Sequence, residues 1–82
     1  MDRNDILDKV GLLIKKISEN DKLTVTKDTQ FSDIENWDSL NTVDLEMDIE
    51  TDFNIEFDAG EFQNYRSIDT LVEAIKKSMK KV

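Results

Sequence analysis

Apolar residues at Ile6, Val10, Leu13 and Ile17, with Leu7 and Ile14 beside them, recur at the 3.6-residue spacing of an amphipathic helix. They predict a first helix over about Asn4 to Ser18, with either Asp2 or Asn4 as its N-cap. Gly11 falls inside this helix, where glycine costs up to about 1 kcal/mol relative to alanine. Close approach of another backbone, or packing convenience, would account for it. A second stripe, Leu45, Ile49 and Phe53, follows Asp38, a good N-cap, and Ser39; it predicts a helix over about 39–53. A third, Ile68, Leu71, Val72, Ile75 and Met79, follows Ser67 as cap and predicts a helix over about 68–80. Asp69 suits the positive end of that helix, and Lys76, Lys77, Lys80 and Lys81 suit its negative end.

Between the first two helices, residues 19–37 have no sustained period and are rich in Thr, Asp, Asn, Ser and Lys, so a long surface connection is expected. Leu23 to Thr26 has β-branched character but is too short and isolated for a sheet. Compact domains mostly use connections of about 4 to 6 residues, and longer ones are often functional. Phe31, Ile34 and Trp37 are the side chains expected to pin this one down. Phe53, Ile55 and Phe57 alternate with polar residues, but a strand without a partner is unstable, so an extended exit from the second helix is the better expectation. Asp58 to Tyr65 has room for one or two turns, and a short third helix is expected over about 59–65, turning Phe62 and Tyr65 inward. The fold class is therefore all-α: one domain over 1–82, a bundle of three longer helices, one short one and a long first loop.

Composition narrows what such a bundle can do. Eighty-two residues bury only a modest core, which leaves little room for an internal active site. The chain has no cysteine and no histidine, removing thiolate nucleophiles, disulfides, imidazole bases and the common zinc ligand sets. Any reactive group must be brought in. With 19 acidic against 11 basic residues and a formal charge of -8, the field repels nucleic acid and anionic lipid and favours proteins with basic patches. No signal peptide and no apolar run of about 20 residues is present, so no membrane span and a cytoplasmic location are expected. Asp44, Glu46 and Asp48 have the early spacing of an EF-hand, but the required glycine is Ile49 and the terminal glutamate is Ile55, so no metal site is expected.

The stretch Asp28 to Leu45, with Asp38-Ser39-Leu40 at its centre, resembles the attachment region of the acyl and peptidyl carrier protein family. The resemblance extends over most of the chain, from the first apolar stripe to Leu71-Val72-Glu73-Ala74-Ile75. The tripeptide alone is a weak signal. Its specificity comes from the long loop before it, the upstream Phe31 and Asp33, the acidic helix after it, and the total length.

The resemblance implies an acyl-carrier-like four-helix bundle with no catalytic residues. It makes Ser39 the acceptor of 4'-phosphopantetheine, delivered from coenzyme A by a separate transferase, with Asp38 and Leu40 flanking the site. A phosphodiester there would meet unpaired N–H groups and the positive end of a helix. Asp38, besides capping, would lie where the transferase's metal and coenzyme A phosphates gather. The polar remainder of the second helix is on its own terms a solvated face. The family reading makes Leu40, Val43, Asp44 and Met47, with Glu50 or Thr51, a docking face for a loading ligase and synthase enzymes. Carriers of this family can hide an acyl chain between the second and third helices, which makes Ile49, Phe57, Phe62, Tyr65 and Ile68 pocket candidates; the aromatic bulk of Phe57, Phe62 and Tyr65 favours short or polar cargo, or cargo left exposed on the arm. Glu35-Asn36-Trp37 stands where many fatty-acid carriers have a glycine, and Asn36 suits a positive φ there. A tryptophan before the motif is more like aminoacyl, polyketide and peptide carriers of specialised pathways. A monomer is expected, and the alternative from a different class is an unmodified acidic interaction module.

Overall fold

The computed structural model describes residues 2–20, 22–58 and 60–79. Three α-helices make up the frame: α1 (Arg3–Ser18), α2 (Ser39–Phe53) and α3 (Ile68–Met79). Helix α1 starts one residue earlier than its apolar stripe suggests because Asp2 is the cap, its side chain accepting from Asp5 N at 2.9 Å. It ends on Glu19 in the left-handed region (φ 57°), whose N–H closes back onto the Lys15 and Lys16 carbonyls. Helix α2 ends in the same way on Asn54 (φ 54°). Lys80 and Lys81, placed by charge at the end of the last helix, lie outside the described residues, as do Ala59 and the helix boundary expected at position 80.

Helix α1 packs against both α2 and α3. Ile6, Val10 and Ile14 on α1, Leu45 and Ile49 on α2, and Ile68, Leu71 and Ile75 on α3 are fully buried together, with Phe62 and Ile34 sealing the core. Each such side chain removed from water is worth roughly 1.5–3 kcal/mol. Arg3 pairs with both Asp69 and Glu73, tying the start of α1 to α3. All three side chains are substantially exposed, so this contact orients the helices more than it stabilises them.

Two expectations change. The segment expected to be a short third helix over 59–65 contains a three-residue 3-10 turn, Phe62–Asn64. Gly60 has φ +79°, a conformation an α-helix cannot contain, and Tyr65 is already extended. The chain therefore has room for one tight turn only. The long first loop is also more than a surface connection. Its backbone pairs with the approach to α3: Phe31 N–H donates to Arg66 O at 3.0 Å, and the isolated bridge Gln30–Ser67 lies beside it. The Thr29 and Lys27 carbonyls accept from Ile68 N (2.8 Å) and Asp69 N (3.0 Å). The loop thus satisfies first-turn donors of α3 that would otherwise need water or a side chain. A second 3-10 turn, Phe31–Asp33, leads toward α2. Among the described residues no helix is long and apolar enough to cross a membrane.

At Gly11 the close neighbour is a side chain and not a backbone: an added Cβ would sit 3.5 Å from Val25 Cβ, an ordinary van der Waals contact. Gly11→Ala should therefore stabilise the fold by about 0.5–1 kcal/mol through helix propensity alone. Denaturant unfolding checks this, and a lower midpoint for the variant would mean that α1 and Val25 cannot accommodate one methyl group.

Candidate functional site

The chain enters α2 through a turn that the sequence builds from four side chains. Ile34 is buried and anchors the loop. Asn36 turns the backbone with φ 63°, a region that asparagine tolerates better than most residues. The Trp37 ring stacks on Phe31 at 5.7 Å and 27°. Its indole Nε1 donates to Thr42 Oγ1 at 2.9 Å, and Thr42 Oγ1 in turn donates to Asp38 O at 3.2 Å. Asp38 caps the helix, Oδ1 accepting from Asn41 N at 3.0 Å. The residue before the cap is thereby bonded to the first turn after it, with Ser39 between them.

Ser39 is exposed at the first position of α2. Its hydroxyl and the N–H groups of Ser39 and Leu40 have no hydrogen-bond partner among the described residues. The first turns of α1 and α3 each carry an aspartate, Asp5 and Asp69, whereas that of α2 carries no acid. In a chain this acidic, the positive end of α2 beyond its cap is left open to an external anion.

Beside Ser39 opens a cleft of about 510 Å³. Ser39, Thr42, Val43 and Glu46 of α2 form one wall, and Phe31, Phe62, Tyr65 and Arg66 contribute to the other. The inner end is aromatic: Phe57, Phe62 and Tyr65 meet edge to face, with centroids 5.1 Å (Phe57–Phe62) and 5.9 Å (Phe62–Tyr65) apart. Of the five residues suggested for a pocket, Phe62 and Tyr65 line this cleft. Ile49 and Ile68 are fully buried in the core, and Phe57 is half-buried behind the other two rings. The Tyr65 hydroxyl donates to Glu61 Oε1 at 2.7 Å. Burial first, then that bond and the charges of Glu61 and Asp58, push its pKa up to about 12. Glu46 is also held above the ordinary carboxyl range, by desolvation and then by Glu50.

On the outer face of α2, Leu40 (72% exposed), Val43 (46%) and Met47 (60%) form an apolar stripe around exposed Asp44. The two residues offered as its continuation differ. Glu50 turns inward, its Oε2 accepting from Phe57 N at 2.8 Å. Thr51 remains exposed, its hydroxyl donating to Met47 O at 3.0 Å.

Sequence reasoning did not place Thr42, Glu46, Phe31 or Arg66 around one cleft. Thr42 and Glu46 carry a usable signal, lying three and seven residues after Ser39 and hence on its face of the helix. Phe31 and Arg66 come together only through the pairing of residues 30 and 67, which no local pattern announces. The described residues contain no group of three or more Asp, Glu, His or Cys side chains placed to hold a metal ion.

The family model described as "Phosphopantetheine attachment site" matches residues 8–75. The chain is 39% identical over 79 residues to an acyl carrier protein of Guillardia theta, covering 96% of this chain and 98% of that one. It is 30% identical over 77 residues to an acyl carrier protein of Thermotoga maritima, covering 94% and 95%. The solution structure of a holo acyl carrier protein from Geobacter metallireducens superposes with a TM-score of 0.82 at 26% identity, covering 93% of this chain and 87% of that one.

The Trp37–Thr42 bond makes the turn testable. Trp37→Phe keeps a ring against Phe31 but loses the donor, and Thr42→Val loses the acceptor. Each should cost about 0.5–1.5 kcal/mol, and the double variant about as much as the worse single one, because both remove the same bond. Fully additive losses in denaturant unfolding would show that the two side chains are not coupled.

Proposed function

We propose, because this chain belongs to the phosphopantetheine-attachment family of acyl carrier proteins, that it carries acyl or aminoacyl groups as thioesters on an arm joined to the Ser39 hydroxyl. Its cofactor is covalent 4'-phosphopantetheine, and it is a non-catalytic carrier on which other enzymes act. The observation that carries the assignment to Ser39 is its setting: an exposed, unengaged hydroxyl at the first position of α2, beside two free N–H groups and a first turn without acids.

These residues fit the group. The Ser39 and Leu40 N–H groups and the α2 dipole are suited to hold a phosphodiester. Asp38 spends Oδ1 on the cap, leaving Oδ2 to face the metal and phosphates of an attaching transferase. The arm supplies the terminal thiol that this cysteine-free chain lacks. The chain's own contribution is to present that arm without flexing, through the Trp37–Thr42–Asp38 bonds, and to offer partners a defined surface. Leu40, Val43, Asp44, Met47 and Thr51 make up that surface, with apolar side chains for contact and carboxylate for steering. Glu50 supports it from behind by holding Phe57 N. The partners are a phosphopantetheinyl transferase, a loading ligase and synthase enzymes with basic patches. Trp37 before Asp38-Ser39-Leu40 supports a role in a specialised pathway over housekeeping fatty acid synthesis.

Incubation with coenzyme A and a broad-specificity transferase should raise the intact mass by one phosphopantetheine. Ser39→Ala should abolish the addition while changing stability by no more than about 0.5 kcal/mol, since Asp38 still caps the helix. Modification of the alanine variant, or an unmodified wild type with active transferase, would overturn the assignment and leave an unmodified interaction module as the better reading.

Partner binding should weaken as salt is added, because exposed charges are screened beyond about 8 Å at physiological ionic strength. Asp44→Lys should weaken it further, chiefly by slowing association. Titrations against the transferase at several salt concentrations measure both effects, and indifference to salt and to the charge reversal would remove Asp44 from the docking face.

A further inference from the structure

Among the described residues that line the cleft beside Ser39, Glu46 is the single carboxylate. It lies seven residues after Ser39, about 10 Å further along the helix axis, with Thr42 and Val43 between them on the same wall. An arm attached at Ser39 and folded into the cleft passes those two residues before it reaches Glu46. The Glu46 side chain is half-buried, and no lysine or arginine among the described residues is within ion-pair distance of it. The cleft desolvates its carboxylate, and Glu50, one turn further on, adds a like charge. The anion is therefore poorly compensated where it stands.

The three kinds of short cargo meet this wall differently. An aliphatic end covers the carboxylate and deepens its desolvation without replacing the lost water. A carboxylate end adds repulsion. An ammonium end supplies the missing opposite charge in a place that water only partly screens. Arg66 on the facing wall is exposed, so solvent screens its pull on an anion more strongly. The aromatic inner end of the cleft sets its depth, because Phe62 is only 2% exposed and is packed against Phe57 and Tyr65. Longer chains would have to displace those rings.

We propose that this cleft receives short acyl groups bearing an ammonium, and that Glu46 is the residue that selects them. The proposal rests on attachment of the arm at Ser39.

The test loads the protein with three arms of nearly equal size, ending in butanoyl, 3-aminopropanoyl or malonyl, each joined by an amide in place of the thioester so that it does not hydrolyse. Thermal unfolding is measured for each, and the Glu46 carboxyl is titrated by NMR. The 3-aminopropanoyl arm should give the highest unfolding midpoint and should lower the Glu46 titration midpoint by about one pH unit relative to the butanoyl arm. Glu46→Gln should erase the thermal difference between those two arms, and Glu46→Lys should move the preference to malonyl. Equal midpoints for the three arms, a preference for butanoyl or malonyl, or an advantage that survives Glu46→Gln would overturn the cargo assignment. Intact mass separates the two levels: no arm on Ser39 removes the attachment reading and the proposal with it, whereas correct loading without discrimination removes the proposal alone.

Discussion

Three backbone groups on each side of one short pairing hold the Ser39 end of this molecule together. Phe31 N bonds to Arg66 O, and the Thr29 and Lys27 carbonyls take the Ile68 and Asp69 donors. Without that pairing the loop would be tethered by Leu23, Val25, Ile34 and its aromatic side chains, and the first turn of α3 would expose its donors to water. With it, Phe31 and Arg66 stand in one wall of the cleft, and Phe31 is fixed where Trp37 can stack on it. Trp37 in turn reaches Thr42, so the geometry around Ser39 is set from residues far away in the chain. The helices supply the core, but the loop pairing decides where the Ser39 end of α2 points.

Helix α2 has to serve three surroundings at once. Leu45, Ile49 and Phe53 face the core; Ser39, Thr42, Val43 and Glu46 face the cleft; Leu40, Asp44 and Met47 face solvent. An ordinary surface helix divides into one apolar and one polar side. Here apolar residues lie on all three sides and carboxylates on two, so the helix has a weaker periodicity than its neighbours. That blurring is what a helix with an anchored side and the proposed ligand and partner sides would show. Met47 suits the last of these, because an unbranched thioether can adapt to differently shaped partners.

The helices were legible because their core stripes are regular: Ile6, Val10 and Ile14 on one, Ile68, Leu71 and Ile75 on another. The cap at Asp38 and the turn at Asn36 were legible because those residue types have few other reasons to stand there. The family resemblance added Ser39. The short third helix misled because Asp58 to Tyr65 has suitable length and aromatic spacing, while Gly60 leaves the helical region of backbone space. The cleft was not legible as a whole, since half of it is brought together by hydrogen bonds between main-chain atoms, which leave no signature in side-chain identity. Ile49 and Ile68 were read as pocket residues for the same reason: a pattern shows that a side chain turns inward, but not whether it meets the core or a cavity.

The distribution of acid along the chain separates two requirements that oppose each other. A net charge of -8 favours encounter with basic partners, yet the phosphodiester proposed on Ser39 would add a further negative charge to the same surface. Carboxylates within the first turn of α2 would repel that group and compete for its N–H donors. The helix has none there: after the capping Asp38 its acids begin at Asp44, more than one turn below Ser39. The positive end of the dipole is thus left open to the proposed arm, and the acids lie further down the helix, where they flank Val43 and Met47. Placing Asp38 at the cap is consistent with this, because its Oδ1 is already neutralised in part by Asn41 N. The proposed attachment point and the proposed docking stripe can therefore occupy one short helix because the acids of the second are kept a full turn from the first.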